Sequence, residues 1–335
     1  MRNSDIKMKA LVLENYGTPF EIKEFPIPDI AEGQVLVHIK ASGINPLDLK
    51  IKSGEAAHAK TQLPAILGID MAGIVAAVSE EVTGFKIGDE VYGMTGGIGG
   101  VQGSLAEYAA VDADLLALKP KNLTMKEAAS LPLAFITAWE GLVDRAGATG
   151  KHTVLIHGGA GGVGHIAVQL AKSFGAKVFA TGSGKQNSVL TRLGAIPIDY
   201  AKESVSDYVG LHTEGDGFDI VFDTIGGTIL DASFQAVKIY TGHVVSILGW
   251  GFHSLAPLSF RAATYSGVFT LMPLLTGKNR KHHGEILQEA TKLVENGLLK
   301  PIVDSGSYSL KTVEAAYSAI KNGQVNGKVV VDKIC

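Results

Sequence analysis

The segment His157-Gly158-Gly159-Ala160-Gly161-Gly162-Val163-Gly164 constrains this chain more than any other stretch. An apolar run, Thr153-Val154-Leu155-Ile156, leads into it, and a helical pattern with Ile166, Ala167, Leu170, Ala171 and Phe174 on one face leads out. Gly159, Gly161 and Gly164 satisfy G-x-G-x-x-G in the strand, turn and helix context that makes the pattern a nucleotide-site expectation. A turn without side chains lets the backbone approach a pyrophosphate, and free N–H groups at the helix start hold its charge. Taken alone, glycines at a strand end are equally consistent with a tight turn.

The surrounding pattern decides between the two. From residue 151 to about 272, short apolar strands alternate with helical runs. The expected strands are Val154–His157, Lys177–Thr181, Ile196–Ile198, Phe218–Asp223, His243–Leu248 and Val268–Leu271. Helical runs at Gly164–Phe174, Lys185–Leu193 and Ile229–Ala236 lie between most of them. Six strands alternating with helices predict a doubly wound parallel sheet, with ligand at the carboxyl ends of the strands where their order reverses.

The remainder reads differently. Residues 8 to about 120 are β-rich, with Lys9–Leu13, Gln34–Lys40 and Gly73–Val78 as strands and a Gly88-Asp89 turn before another. Thr124 and Glu127 have capping-box spacing, and a second helical run follows over Leu133–Val143. The tail holds helices ending at Asn296-Gly297 and Asn322-Gly323, then a strand, Gly327–Val331. A chain of 335 residues suits two domains at about 150 residues each. The formal net charge of -3 gives no reason to expect nucleic acid or an anionic membrane as partner. No stretch is apolar for long enough to span a bilayer, and the first residues lack an apolar leader segment. The single cysteine, Cys335, allows no intramolecular disulfide and suits a reducing compartment, so a cytoplasmic protein is expected.

The cofactor is read from the end of the second strand. A site for NAD usually carries an acidic residue about 20 residues beyond the glycines, bonded to the ribose 2′-hydroxyl. Here Thr181 is followed by Gly182-Ser183-Gly184-Lys185-Gln186-Asn187, with no carboxylate. Ser183 can hydrogen-bond a 2′-phosphate and Lys185 can pair with it, so NADPH is expected over NADH.

With these residues in hand, the chain resembles the medium-chain dehydrogenase/reductase superfamily, in its zinc-independent quinone oxidoreductase (zeta-crystallin-like) branch. The resemblance runs from about Met8 to Asp332. It rests on Met8-Lys9-Ala10, Ala41-Ser42-Gly43-Ile44-Asn45-Pro46-Leu47-Asp48, Leu67-Gly68-Ile69-Asp70-Met71-Ala72-Gly73, Ala138-Trp139-Glu140-Gly141-Leu142, Ala167-Val168-Gln169-Leu170-Ala171-Lys172 and Gly327-Lys328-Val329-Val330. It implies an α/β fold: a GroES-like β-rich catalytic domain (residues 1–133 and 275–335) plus a Rossmann NADP-binding domain (134–274) built on the doubly wound six-stranded parallel sheet.

Zinc members carry a catalytic Cys in the first loop and Gly-His-Glu in the next; this chain has Asn45 and Gly68-Ile69-Asp70 there. No metal site is therefore expected. Without a Lewis acid, alcohol oxidation loses its main device, whereas an electrophilic, conjugated acceptor needs less help. The expected reaction is hydride transfer from NADPH to a quinone or to the β-carbon of an α,β-unsaturated carbonyl. An enoyl-thioester reductase of the same superfamily, or an NADPH-binding, non-catalytic crystallin-like protein, are the alternatives.

Asn45 is a candidate to orient the nicotinamide or bond the acceptor, or else it structures the loop before Pro46. Tyr92 is a candidate proton donor or pocket wall, or else a core tyrosine. The glycine turn supplies Gly159, Ala160, Gly161, Gly162 and Val163 as cofactor contacts. By resemblance, Thr137 lies toward the nicotinamide, Tyr200 toward the adenosine phosphate, Leu248 and Gly249 at the nicotinamide ribose, and Lys328 either makes a second contact from the tail or is a surface lysine on the final strand. Ile51, Met94, Phe252, Phe260 and Met272 are the expected apolar pocket walls. A homodimer is expected, paired through Val268–Met272.

Overall fold

The computed structural model describes residues 6–334; Cys335 and residues 1–5, on which the disulfide and leader expectations rest, lie outside the described residues. Two compact units are present. The first contains the chain up to Leu133, Leu271–Asn296 and the segment from Pro301 onward; the second contains Ala134–Thr270 and Gly297–Lys300. Among the described residues no helix is long and apolar enough to cross a membrane.

The second unit is a six-stranded parallel sheet in the spatial order Ile196–Asp199, Lys177–Gly182, Thr153–His157, Ile220–Asp223, His243–Ser246, Thr264–Gly267. The order reverses between Thr153–His157 and Ile220–Asp223, the doubly wound arrangement with its ligand crevice at that point. Both central strands read as near-continuous apolar runs because helices cover both faces of such a sheet. Leu155, Phe179, Phe218, Val221, Phe234 and Val244 form one buried cluster, with the Phe179 and Phe218 rings edge-on at 5.1 Å.

Two details differ from expectation. The sixth strand is Thr264–Gly267, not Val268–Leu271. It is an edge strand, partly exposed along its length, so it carries little apolar signal. The more apolar Val268 and Leu271 are buried in the turn that leads to the helix Met272–Thr276. Val268–Met272 therefore offers no edge for pairing between copies. A helix at Val205–Thr213 was also hidden from the pattern; Ser204 caps it, accepting from Asp207 N.

The first unit holds a sheet in the order Tyr308–Ser309, Val329–Lys333, Gln34–Ile44, Asp70–Val78, Glu90–Met94, Leu116–Leu118, with Tyr108–Asp112 also paired to Gln34–Ile44. A smaller sheet joins Glu21–Pro26, Lys7–Leu13 and Ala65–Ile66. Thr124 and Glu127 form the expected capping box on Met125–Ala129. Register matters most at one end of the large sheet. Val329 pairs with Ile44 and Gly43 with Asp70, so Asn45, Asp70 and Lys328 arrive together at neighbouring strand ends.

The helix Pro132–Trp139 passes into a π turn over Glu140–Arg145. A Cβ on Gly141 would stand 2.3 Å from Phe222 Cε2, and that ring is fully buried in the sheet face. Gly141→Ala is expected to destabilise the protein by about 1–3 kcal/mol, the usual range for overpacking. Chemical denaturation measures it, and an unchanged midpoint would show that the ring yields.

Candidate active site

The glycine turn has the shape its spacing predicts. Gly158 sits at φ +73, and its N–H donates to Thr181 Oγ1 at 3.1 Å. A Cβ on Gly159 would stand 2.5 Å from the Ala180 methyl, and one on Gly164 would stand 2.1 Å from Gly158 O, so the turn packs directly on the second strand and the helix start touches the turn backbone to backbone. A Cβ on Gly161 would meet only Gly158 O, at 3.1 Å, which leaves its outer side open. These are the three glycine roles of a dinucleotide fingerprint: tight turn, close ligand approach and helix packing. Among the described residues, the N–H groups of Gly162, Val163 and Gly164 donate to no protein acceptor, so the start of helix Gly164–Ser173 is free to bind an anion. The turn fits a dinucleotide pyrophosphate.

Beneath the turn lies a buried polar layer. Asp223 accepts from Ile225 N, Gly226 N and Ser246 Oγ, at 2.9, 3.0 and 2.7 Å. Thr224 Oγ1 donates to His157 O at 2.6 Å, clasping the two central strands where their order reverses. Burial pushes the His157 imidazole down to about 4, with Asp223 pulling the other way, so the ring is neutral at physiological pH. Leu248 N donates to Ser246 Oγ at 3.1 Å, and a Cβ on Gly226 would stand 2.5 Å from Leu248 O. Leu248 and Gly249 thus belong to the same carboxyl rim as the glycine turn. Thr137 is buried within the helix Pro132–Trp139.

At the end of the second strand, Ser183 caps a short turn, its N–H donating to Gln186 Oε1 at 2.9 Å, while Lys185 is exposed. Tyr200 is 62% exposed, and its N–H donates to Gly182 O at 3.3 Å, which brings it to the same corner. Chain order alone missed one residue there. Parallel pairing sets Gly182 opposite Asp199, and a Cβ on Gly184 would stand 2.8 Å from Asp199 Oδ2. This carboxylate accepts from Ala201 N at 3.1 Å and lies 3.7 Å from Lys202 Nζ. The stretch Gly182–Asn187 is free of acid, but the corner it forms is not.

In the first unit, Asn45 Nδ2 donates to Asp70 Oδ2 at 2.9 Å, and Lys328 Nζ donates to Asn45 Oδ1 while lying 3.7 Å from Asp70 Oδ2. Leu133 N donates to the other Asp70 oxygen at 2.8 Å. All three side chains are buried. The anion and the cation dictate which end of the Asn45 amide faces which, and among the described residues one amide hydrogen has no acceptor. Burial pushes the Asp70 carboxyl above its usual range and the Lys328 ammonium below its own, each opposed by the other's charge. Asp48 Oδ2 accepts from Asn45 N at 2.7 Å, closing the cap of helix Pro46–Ser53. Burial lifts the Asp48 carboxyl to about 7 against that hydrogen bond. Lys328 is thus an internal ammonium rather than a surface lysine.

The donors here do not fit zinc. Asn45 and Asp70 are spent on each other and on an ammonium, whose charge repels a divalent cation. Among the described residues no group of three or more His, Cys, Asp or Glu side chains is arranged to hold a metal.

Tyr92 is corrected. It is fully buried, its hydroxyl donates to Leu287 O at 2.7 Å and lies 3.0 Å from Thr291 Oγ1, and burial pushes its phenol well up. A proton held this way is not available to a ligand; Tyr92 fastens its strand to helix Arg280–Glu295. Ile51 and Met94 are likewise core residues, whereas Phe252, Phe260 and Met272 are exposed.

Comparison with known proteins follows from this geometry. Residues 31–121 match the alcohol dehydrogenase GroES-like domain and residues 193–331 the zinc-binding dehydrogenase family. A 2-methylene-furan-3-one reductase of Solanum lycopersicum is 39% identical, over 98% of this chain and 80% of its own length. A chloroplastic NADPH-dependent alkenal/one oxidoreductase of Arabidopsis thaliana is 38% identical, over 97% and 79%. Among solved structures, an alcohol dehydrogenase superfamily protein from Novosphingobium aromaticivorans is 54% identical with a TM-score of 0.95, covering 97% of this chain and 99% of that one. The quinone oxidoreductase from Coxiella burnetii is 30% identical with a TM-score of 0.82, covering 98% and 99%.

Tyr92→Phe is expected to cost about 0.5–1.5 kcal/mol of stability, the net worth of one hydrogen bond, and to leave kcat unchanged. Urea unfolding and steady-state rates measure the two. A large loss of kcat with intact folding would return Tyr92 to the chemistry.

Proposed function

The chain belongs to the medium-chain dehydrogenase/reductase superfamily, and on that premise we propose that it is an NADPH-dependent, zinc-independent reductase of quinones and α,β-unsaturated carbonyls. The observation that carries this reading is the internal Asn45–Asp70–Lys328 network, which commits Asn45 and Asp70, the residues that by resemblance stand at the Cys and Gly-His-Glu motifs of the zinc members, to each other and to an ammonium. When bound, the nicotinamide supplies the hydride.

The chain's residues supply position and charge. The free N–H groups at Gly162–Gly164 neutralise the pyrophosphate, with Gly159, Ala160 and Gly161 shaping the approach. Ser183, Lys185 and Tyr200 are assigned to the 2′-phosphate corner. Thr137, Leu248 and Gly249 are assigned to the nicotinamide and its ribose, with Asn45 and Lys328 as further contacts. As hydride reaches the β-carbon, negative charge gathers on the acceptor oxygen. The uncommitted Asn45 amide hydrogen is the donor we assign to it, with Lys328 holding the amide in orientation. A conjugated acceptor spreads that charge, so one oriented N–H near an ammonium suffices where an unactivated alcohol would need a metal. Water provides the proton. A homodimer in the cytoplasm completes the reading, with Thr264–Gly267, one of the two edge strands of the six-stranded sheet, assigned to the pairing.

The test is NADPH oxidation with a 1,4-quinone, a 2-alkenal, an enone, an enoyl thioester and a saturated aldehyde. Turnover of the first three and not the last is expected; turnover of enoyl thioesters alone, or of none, would overturn the proposal. KM for NADPH is expected to lie below KM for NADH. Lys185→Glu is expected to raise the NADPH value about tenfold, one lost ion pair of roughly 1.4 kcal/mol, and to spare NADH. An NADH preference in the parent enzyme would make the Asp199 carboxylate the deciding group at this corner.

A further inference from the structure

The loop that leaves the fifth strand begins with Leu248-Gly249 at the carboxyl rim and carries two exposed aromatics, Trp250 at 51% and Phe252 at 105% exposure. It has no regular secondary structure from Ile247 to Leu255, and Gly251 sits at φ +103. The Trp250 ring packs edge-on against Phe269 at 6.2 Å, and His253 ties the loop to the neighbouring helix. His253 Nδ1 lies 2.8 Å from Asp231 Oδ1, on helix Thr228–Ala236, and His253 Nε2 lies 3.1 Å from Trp250 O. Both partners are oxygen acceptors with no hydrogen to give, the first as a carboxylate. A neutral imidazole has one N–H and satisfies one of them; only the imidazolium donates to both.

We propose that His253 is a proton-operated positioning residue: as imidazolium it holds the loop Leu248–His253 against helix Thr228–Ala236 through both ring nitrogens, and its deprotonation gives up one of the two bonds, loosens the loop and weakens dinucleotide binding. The affinity half rests on the assignment of Leu248 and Gly249 to the cofactor.

The electrostatics agree with the geometry. The hydrogen bond to Asp231 comes first in holding the imidazolium above the ordinary histidine value of 6.5, followed by the Trp250 carbonyl, while desolvation opposes and the charges of Asp231 and Asp223 add to the rise. Those two carboxylates, from helix Thr228–Ala236 and the end of strand Ile220–Asp223, are the charged groups acting on the ring among the described residues. The sign follows. Both bonds are present below the ordinary value, and one is lost as pH rises through the elevated one.

The chain has two tryptophans, so Trp139→Phe leaves Trp250 as the reporter. In that background, the emission of cofactor-free protein is followed from about pH 5.5 to about pH 9, across the histidine range. A single red-shifting step with rising pH is expected, absent in His253→Gln and moved to lower pH in Asp231→Asn. The NADPH dissociation constant, from calorimetry, is expected to rise about 3- to 10-fold across the step relative to His253→Gln. No step in the parent, or the same step in His253→Gln, overturns the latch. A His253-dependent step with no change in affinity overturns its coupling to the cofactor and leaves the reductase assignment, tested by the acceptor panel, to stand or fall separately.

Discussion

Backbone must touch backbone at the glycine turn, and the dinucleotide site depends on that contact. Side chains at Gly159 and Gly164 would collide with Ala180 and with the carbonyl of Gly158, so helix Gly164–Ser173 starts as close to the sheet as a chain can come. Among the described residues, the N–H groups of Gly162, Val163 and Gly164 at that helix start donate to no protein acceptor. Ordinary residues would push the helix away and fill the space a phosphate needs. The polar layer below, Thr181, His157, Asp223 and Ser246, locks the strand ends that carry the turn. Its histidine stays neutral because burial outweighs the nearby carboxylate.

A second constraint operates in the β-rich unit, through charge. Burying an ammonium and a carboxylate costs several kcal/mol per ion unless their hydrogen bonds are met. Lys328, Asp70 and Asn45 meet much of that requirement among themselves, and the helix start at Leu133 supplies a further donor to Asp70. The result is an amide with a dictated orientation. In the proposed reductase this arrangement limits the chemistry: a fixed positive charge favours electron density gathering on an acceptor oxygen, but it opens no coordination position for an alkoxide.

Much of this was legible from residue order because the signals were local. Strand, turn and helix around Gly159 follow each other in the chain, as do the capping box at Thr124 and Glu127 and the stops at Asn296-Gly297 and Asn322-Gly323. What stayed hidden was non-local or weakly patterned. Thr264–Gly267 has one neighbouring strand, so half of it faces solvent and no apolar run marks it. The apolar Val268–Leu271 imitates a strand because it is buried for another reason, as the approach to a helix. Between a proton donor and a core tyrosine at Tyr92, residue order does not choose; the bond from its hydroxyl to Leu287, far along the chain, favours the core.

The sequence by itself determined the family, the parallel sheet and the glycine turn between its first strand and helix, since each rests on short-range spacing that only a few backbone paths satisfy. Tertiary structure alone decided which charges meet. Strand register carries Asp70 and Lys328 to Asn45, and parallel pairing carries Asp199 to the Ser183 corner. A helix packed against the sheet brings Asp231 to His253. The physical reason is the same in each case: electrostatic partners act across space, and the distance along the chain between them holds no record of the distance in the fold.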